Sequence, residues 1–524
     1  MAKSNLVNLD ALIIREDFGT TDHDEEVSHD TFSNISIRDF TKGALIGPNL
    51  RKPDFQRETN HWTPQQILSL LESFVSGDLV PSVILWKSPS YLFVIDGGHR
   101  LSAIKAWVED DYGDGHLSFE YFGRDISPEQ KRSADKTRKL INASIGSYKE
   151  LVHKNESLNI SSDERKRISK IITRALQVQW VKGDADKAEQ SFFKINSQGT
   201  PLDSIEELLL KNRKKPIAIS ARAIIRAGTG HKYWSNFPQN YSSQVELASK
   251  DLHKSLFEPD LKTPVKTLDL PLGGSKGVRT SLQILIDYLL ICNKGYHGKQ
   301  SVDDYDDDQT GDETVNVLRR ATKLSKKISG NDKGSLGLHP AVYFYGPSGR
   351  HSQAMFMGIV ELLANKIKNN DDAFFRKFTI SRERLENLLI NKKDLIATII
   401  QKHLSHKRIK IFTKLLDTLV TELSSDSSKV ISEIDLVRIG ELDGKIVLGE
   451  VINDQQSSFS DDIKSKTFIS TALKSALKCP ICKGYLDPEK SISYDHIIRK
   501  QDGGMGDPDN CQLTHPYCNQ TIKN

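Results

Sequence analysis

Residues 479–519 read CPICKGYLDPEKSISYDHIIRKQDGGMGDPDNCQLTHPYCN, and this stretch decides how the C-terminal end of the chain folds. Two chelating pairs bracket it and together supply three thiols and one imidazole, the ligands of a tetrahedral structural zinc site. These four residues are Cys479, Cys482, His515 and Cys518. Because the bracketed segment is too short for a hydrophobic core of its own, a zinc ion would hold it together. Cys511 is a spare thiol and the alternative ligand if His515 points away.

Four polar residues within and just after this bracket predict a phosphodiester-hydrolysing centre. Asp495 offers a hard carboxylate oxygen that suits a divalent ion such as Mg²⁺. His496 could take a proton from water near neutral pH and so generate the nucleophile. Asn519 could supply a second oxygen to the ion, which would neutralise the scissile phosphate. Asn510 could brace the intervening loop through side-chain to backbone hydrogen bonds and hold His496 in orientation.

In this order, the residues resemble the HNH endonuclease family, in the zinc-stapled ββα-metal version also found in phage Holliday-junction resolvases. The resemblance implies that Asp495 and Asn519 bind a catalytic Mg²⁺ or Mn²⁺, that His496 is the general base and that Asn510 positions the loop. The family's usual second Cys-x-x-Cys pair stands here as a histidine and Cys518, and histidine is a competent zinc ligand. The alternative interpretation is a structural zinc knuckle without catalytic activity.

Length and composition set broader bounds. A chain of 524 residues is too long for one core, which predicts two to four domains. The net charge of +4 is slight for this length, so any nucleic-acid surface must be local. Four of the five cysteines lie in the terminal segment, which indicates metal binding in a reducing cytosol. Without a signal-peptide pattern or an apolar run of membrane-spanning length, the sequence predicts a soluble cytoplasmic protein with no membrane partner.

The N-terminal region is predicted to begin with a disordered acidic arm over residues 1–34. A helix follows over residues 65–77, bounded by a proline at its first turn and a glycine stop. Two strands are predicted over residues 82–86 and 91–95, and the second runs into the motif DGGHR at 96–100. A strand, a glycine turn and a helix present free backbone N–H groups and a positive helix end to phosphate.

The DGGHR motif has two interpretations. As a phosphate site, Arg100 would add a bidentate clamp, Arg57 could close from the preceding loop, and His99 or Asp96 could position a metal or a water. As a structural turn, the glycines serve backbone geometry and Arg100 forms a salt bridge. The candidate nucleotide-binding residues are Gln56, Arg57, Asp96, Gly97, Gly98, His99 and Arg100.

Three segments in order resemble the N-terminal domain of GmrSD-type and SspE-type restriction proteins: residues 53–57, the DGGHR motif, and FFKINSQGTPL at 192–202. That domain is similar to the ParB/sulfiredoxin fold, in which a comparable loop holds nucleotide phosphates. The family usually reads Asp-Gly-Gln-Gln-Arg at this motif, so Gly98 and His99 depart from it. The resemblance therefore implies binding of a nucleoside triphosphate, more than its hydrolysis, by a nucleotide- or DNA-sensing domain over residues 35–215.

The rest of the chain is predicted to be a helical domain over residues 216–423, a connector over 424–463 and the nuclease domain over 464–524. A nuclease domain on such a connector could be held away from DNA until the N-terminal sensing domain, residues 35–215, releases it. Within the helical domain, residues 387–419 alternate apolar and basic positions. This pattern is typical of a solvated helix face and, beside a nuclease, could contact a DNA backbone.

Together these features predict a multidomain α+β protein with a ParB/sulfiredoxin-like α/β N-terminal domain, a helical middle and a small zinc-bound ββα-metal domain. The favoured function is a divalent-metal-dependent HNH endonuclease that nicks or cuts DNA under control of the nucleotide-binding domain, in restriction of modified or foreign phage DNA. The alternatives are a non-catalytic ParB-like DNA-binding regulator with a structural zinc knuckle, and a nucleotide-gated nuclease toxin. A homo-oligomer is compatible with each of them.

Overall fold

A computed structural model describes residues 6–16, 18, 32–54, 56, 59–60, 62–123, 126–157, 160–198, 204–229, 231–275, 278–444 and 458–523. The chain divides into two compact units. The first comprises residues 1–213 with 229–233, and the second comprises 214–228 with 234–524.

A six-stranded mixed sheet forms the centre of the first unit. Its strands are β1 (Arg15–Glu16), β2 (Asn34–Ser36), β3 (Leu50–Pro53), β4 (Val83–Lys87), β5 (Leu92–Asp96) and β6 (Ala175–Trp180). They lie in the order β1-β3-β5-β4-β6-β2. The pairs β1/β3, β3/β5 and β4/β6 are parallel, whereas β4/β5 and β2/β6 are antiparallel. The predicted strands over 82–86 and 91–95 are therefore confirmed as central neighbours in a sheet.

Nine helices of the described chain surround this sheet. They are α1 (Ile46–Asn49), α2 (Pro64–Ser76), α3 (Gly98–Glu109), α4 (His116–Tyr121), α5 (Pro128–Ser144), α6 (Tyr148–Glu156), α7 (Ser162–Ile172), α8 (Ala185–Gln198) and α9 (Ser204–Lys211). Helix α2 shows why these segments are helical. Thr63 caps its start, Gly77 ends it with a left-handed φ of 89°, and its apolar face, which includes Ile67 and Leu71, is buried. This face joins one core with Val94 of β5 and Trp107 of α3.

The disordered arm predicted over residues 1–34 is wrong for residues 6–16. Val7, Leu9 and Leu12 are buried in the core of the first unit, and Arg15 begins a strand that pairs with β3. The reason is that apolar residues recur through residues 6–14, a pattern that buries enough surface to order the segment. Most of the acidic stretch that suggested the arm, including residues 19–31, lies outside the described residues.

The second unit is mostly helical, which confirms the helical pattern predicted over residues 216–423. Its helices are α10 (Pro216–Ile225), α11 (Gln239–Phe257), α12 (Val278–His297), α13 (Asp312–Ile328), α14 (Pro340–Tyr343), α15 (Gln353–Lys368), α16 (Asp372–Asn391), α17 (Lys393–Lys402), α18 (Ser405–Ser425), α19 (Glu433–Ile439) and α20 (Asp461–Lys474). Helix α18 packs against both α15 and α16. None of the helices in the described ranges has the length and apolar character needed to cross a lipid bilayer.

The C-terminal module, residues 479–523, carries a two-stranded antiparallel hairpin. Strand β7 (Ser493–His496) pairs with β8 (Cys511–Thr514), and a π-helical turn over Cys518–Ile522 follows. The module belongs to the same compact unit as α10–α20. The connector predicted over 424–463 contains helix α19, while its residues 445–457 lie outside the described chain.

Candidate functional site

Four predicted zinc ligands come together in the C-terminal module. The ligand atoms of Cys479, Cys482, His515 and Cys518 all lie within 4.8 Å of one another, and all four side chains are buried. The spacing matches a tetrahedral site, in which sulfur and nitrogen atoms stand about 2.0–2.3 Å from one ion. Cys511 is instead exposed on β8, so His515 completes the cluster. Three thiols and an imidazole in this arrangement fit zinc.

The ring of His515 is oriented for metal binding. Its Nε2 lies 2.9 Å from the carbonyl oxygen of Tyr485, while Nδ1 lies 3.3 Å from Cys482 Sγ. A metal-bound histidine normally donates its other ring N–H to such an acceptor, so Nδ1 is the ligand atom. Burial lowers the pKa of His515, and the charge of Arg382 lowers it further, which keeps the imidazole neutral. Hydrogen bonds from Cys482 and Cys518 hold the pKa of Cys479 well below its ordinary value, which favours a thiolate.

A buried ion pair anchors the zinc cluster to helix α16. Arg382 Nε donates to Glu386 Oε1 at 2.7 Å, and both side chains are almost completely buried. The second carboxylate oxygen of Glu386 accepts from the backbone N–H of Tyr485 at 2.7 Å. The guanidinium also donates to the carbonyls of Leu336 and Gly337. The knuckle that carries Cys479 and Cys482 is therefore fixed to the helices.

Asp495 lies on β7 with an exposure of only 7%. Its Oδ2 accepts from Gln512 Nε2 at 2.7 Å and pairs with Lys523 Nζ at 2.8 Å. The same ammonium contacts the carbonyl oxygens of His496 and Ile497. The Lys523 ammonium is thus surrounded by three oxygen atoms at the end of β7, one from the Asp495 carboxylate and two from backbone carbonyls. Hard divalent ions prefer such oxygen ligands, so the donor set fits Mg²⁺ or Mn²⁺.

Asn519 lies on the same face of the hairpin as Asp495. Its Nδ2 donates to Ser493 Oγ at 2.8 Å and to the carbonyl of Tyr494 at 3.1 Å. Alternate residues of a strand share a face, so Ser493 and Asp495 point to one side of β7. Because the amide nitrogen is bound to the strand, the amide oxygen is the atom that Asn519 can offer to an ion.

His496 ends β7 and is half-buried, so water can reach it. Asn510 braces the chain that follows: its Oδ1 accepts from Ile498 N at 2.7 Å, and its Nδ2 donates to the carbonyls of Ile498 and Met505. The predicted bracing by Asn510 is therefore present. Gly504 is needed here, because a Cβ at this position would lie 1.9 Å from the Ile498 carbonyl oxygen.

Gln512 and Lys523 are the partners of Asp495 that the sequence interpretation missed. Gln512 is the register partner of Asp495 in the hairpin. Lys523 follows Asn519 by four residues, a spacing that places two side chains on one side of a helical turn. The signal for Lys523 was therefore in the sequence, whereas Gln512 required the strand register.

The DGGHR motif forms a tight turn in the first unit. Gly97 has a φ of 96°, and a Cβ there would lie 2.6 Å from Val83 Cγ1, so only glycine fits. Helix α3 starts directly after it and has no side-chain cap. Gln56 donates to the carbonyls of Val94 and, more weakly, Ile95. Its buried Oε1 has no hydrogen-bond partner among the described residues and lies 3.3 Å from where a Cβ of Gly98 would be.

The other predicted residues of this motif are held by protein contacts. Arg100 Nη2 donates to Asp96 Oδ2 at 2.6 Å and to the carbonyl of Ser82 at 3.1 Å. The ring of His99 stacks on Trp62 with centroids 5.3 Å apart. Arg57 lies outside the described residues. The structure therefore contains the salt bridge of the structural-turn interpretation. It also leaves two buried polar atoms near the helix start without a hydrogen-bond partner among the described residues, Gln56 Oε1 and Arg100 Nε.

Zinc content tests the cluster directly. Cys518→Ser should lose the bound zinc and destabilise the C-terminal module, since a structural zinc ion supplies folding free energy of about 10 kcal/mol or more. Cys511→Ser, a matched change of an exposed thiol on β8, should keep one zinc per chain. Metal analysis of the purified proteins gives the number of zinc ions per chain, and thermal unfolding gives the change in stability. Loss of zinc from the Cys511 variant alone would contradict the assignment of His515.

Two known protein families match this chain, one in its N-terminal part and one in its C-terminal module. Residues 37–213 match the family model of the GmrSD restriction endonuclease, N-terminal domain, and residues 479–524 match that of the HNH endonuclease. No curated protein and no solved structure matches the chain. The chain therefore has the architecture of GmrSD-type restriction proteins, with an HNH endonuclease domain at its C-terminal end. Both matches support a nuclease in phage defence that acts on DNA.

Proposed function

We propose that this protein is a divalent-metal-dependent endonuclease that nicks or cuts modified or foreign phage DNA under control of a nucleotide-binding N-terminal domain. The observation that carries the proposal is the arrangement on β7. A buried carboxylate, Asp495, and a half-buried imidazole, His496, occupy adjacent positions beside the Cys₃His cluster. A zinc knuckle that only stabilised the chain would need neither group.

In the proposed hydrolysis of a DNA phosphodiester, each polar residue of the C-terminal module has a separate role. Asp495 and Asn519 would hold Mg²⁺ or Mn²⁺, which when bound neutralises charge on the scissile phosphate. His496 takes a proton from water, and the water oxygen forms a bond to phosphorus while the bond from phosphorus to one deoxyribose oxygen breaks. The departing oxygen then takes up a proton from solvent. Asn510 fixes the backbone directly after this histidine through three side-chain hydrogen bonds.

Lys523 adds a further element to this site. Its ammonium pairs with Asp495 Oδ2 at 2.8 Å, so Lys523 would compete with a divalent ion held by Asp495. Two cations at one carboxylate repel each other strongly in a partly buried site. Lys523 neutralises the Asp495 carboxylate in the structure, and its ammonium would be available to contact a DNA phosphate if Asp495 held a divalent ion.

The N-terminal domain would sense a nucleotide at the start of α3. The uncapped helix start offers backbone N–H groups and a positive dipole end, which favour phosphate. The unpartnered Oε1 of Gln56 could accept a hydrogen bond from a ligand hydroxyl or amine. Arg100 contributes through its Nη2 atom, which binds Asp96 at the end of β5 and the carbonyl of Ser82 just before β4.

A plasmid-cleavage assay with the zinc-loaded full chain tests this function. Relaxed or linear plasmid should form with Mg²⁺ or Mn²⁺ and not without a divalent ion, and an added nucleoside triphosphate should change the rate. A DNA-binding regulator would instead retard the plasmid under every condition and leave it intact. Equal cutting of host DNA and of phage DNA with modified bases would favour the nuclease toxin.

A further inference from the structure

A basic cavity of about 370 Å³ lies in the helical part of the second unit, outside the site described above. It is lined by the last turns of α13 and α15, the first turns of α16 and the loop that follows α13. Five lysines and two aspartates contribute to the lining, which leaves an excess of positive charge. The lysines are Lys323, Lys326, Lys327, Lys333 and Lys366.

Two of these lysines have structural explanations. Lys326 pairs with Asp332 at 3.3 Å. Lys366 pairs with Asp371 at 3.2 Å and with Asp417 at 2.9 Å. Both lysines also lie in last turns of helices, where a cation compensates the negative end of the helix dipole. Neither needs a ligand to account for its position.

The remaining three lysines form no ion pair with a carboxylate among the described residues, although Lys327 also lies in the last turn of α13. Lys323 and Lys333 are exposed and form no ion pair within the described ranges. The ammonium of Lys327 lies over two aromatic rings, 4.1 Å from the centroid of Phe375 and 4.6 Å from that of Tyr517. Burial lowers the pKa of Lys327 to about 8, as expected for an ammonium that lacks a close carboxylate. An anion in the cavity would stabilise all three charges.

The loop after α13, which lines part of the cavity, also contacts the HNH domain. Asn331, in the loop after α13, accepts from the backbone N–H of Ile492 at 2.8 Å. Tyr517, between two zinc ligands, donates its backbone N–H to the Ser335 carbonyl at 2.9 Å. Ile492 precedes Asp495 by three residues, about 10 Å along an extended strand.

We propose that this cavity binds backbone phosphates of the DNA that the HNH domain cuts, through Lys323 and Lys333 in particular. The inference rests on the proposed function, because it takes DNA as the substrate. Ammonium groups on flexible stems suit phosphate as point charges, without selecting a base sequence. The face of Phe375, which could otherwise stack on a base, is covered by Lys327. The lining therefore fits backbone contact better than a free nucleotide.

Salt dependence of DNA binding tests the inference. All proteins in this experiment are the zinc-loaded full chain with His496→Ala, so that the DNA stays intact. The affinity for a fluorescent DNA duplex is measured between about 50 and 200 mM salt. Adding Lys323→Gln and Lys333→Gln should reduce the slope of log affinity against log salt by about 2, since each phosphate contact contributes about 0.9. The parent should then lose about tenfold more affinity than the variant over this range.

The matched control removes the same charge elsewhere in the unit. Lys250→Gln and Lys294→Gln change two exposed lysines of α11 and α12, outside both the cavity lining and the basic stretch 387–419. This pair should leave the slope unchanged. An unchanged slope in the cavity variant would overturn the inference, as would a reduced slope in the control alone.

Two further readouts separate this inference from the proposed function. If the chain with intact His496 does not cut plasmid although the cavity variant still shows the reduced slope, the nuclease proposal fails and the cavity remains a DNA contact. If it cuts plasmid with an unchanged slope in the variant, only the cavity assignment fails. Displacement of the duplex by deoxynucleoside monophosphate at constant ionic strength, lost in the cavity variant, would overturn backbone contact in favour of a free-nucleotide site.

Discussion

Replacement of His496 by alanine is expected to slow DNA cleavage by about 10²–10⁴-fold, the usual contribution of a general base. The imidazole ends β7, is reachable by water, and follows Asp495 directly. Its removal leaves the zinc cluster, the hairpin register and the Asn510 hydrogen bonds in place. Zinc content and unfolding temperature should therefore stay at parent values. Single-turnover cleavage of plasmid with excess protein and saturating Mg²⁺ measures the rate of the chemical step.

A matched control is His406→Ala, which removes an exposed histidine from α18 of the same unit. Its cleavage rate should equal that of the parent. Undiminished cutting by the His496 variant would remove this residue as the base. A lower rate accompanied by lost zinc would assign it a structural role instead.

Replacement of Glu386 by alanine is expected to cost about 3–5 kcal/mol in the free energy of unfolding of the second unit. The loss is large because the charge of Arg382 would stay buried without its carboxylate partner. The backbone N–H of Tyr485 would also lose its acceptor beside the zinc cluster. Urea unfolding gives the free energy, and zinc release at equal urea concentration reports on the module itself.

Glu383→Ala is the control for this experiment, since Glu383 is exposed on the same helix. Its effect should stay within about 0.5 kcal/mol. A combined Arg382→Met and Glu386→Leu variant removes both charges and should recover part of the stability that the single change loses. If Glu386→Ala and Glu383→Ala cost the same, the buried pair does not anchor the module.

The geometry of the C-terminal module was largely predictable because it depends on local sequence spacing. The four zinc ligands, Asp495 with His496, and the bracing role of Asn510 all follow from residues less than fifty positions apart. The partners that were missed act across longer distances or through the strand register. Arg382 and Glu386 lie about a hundred residues before the knuckle that they hold, and no periodicity in the sequence connects them.

The N-terminal region was less predictable for two physical reasons. The acidic residues after position 16 obscured the apolar pattern of residues 6–14, which buries Val7 and Leu12. At the DGGHR motif, the sequence allowed both a phosphate clamp and a salt bridge. Only the structure shows that the Arg100 side chain binds Asp96, while Gln56 faces the helix start.

The anchoring of the knuckle by Arg382 and Glu386 has a consequence for how such proteins diversify. Because the zinc ligands and the candidate catalytic residues all lie within residues 479–519, this module looks as if it could be exchanged between proteins as a single piece. In this chain the Glu386 carboxylate on α16 accepts a hydrogen bond from the backbone N–H of Tyr485, and a transplanted tail would have to supply that donor. An exchanged tail must therefore place a backbone N–H within reach of the Glu386 carboxylate, so the zinc ligands alone do not make a tail compatible with this chain.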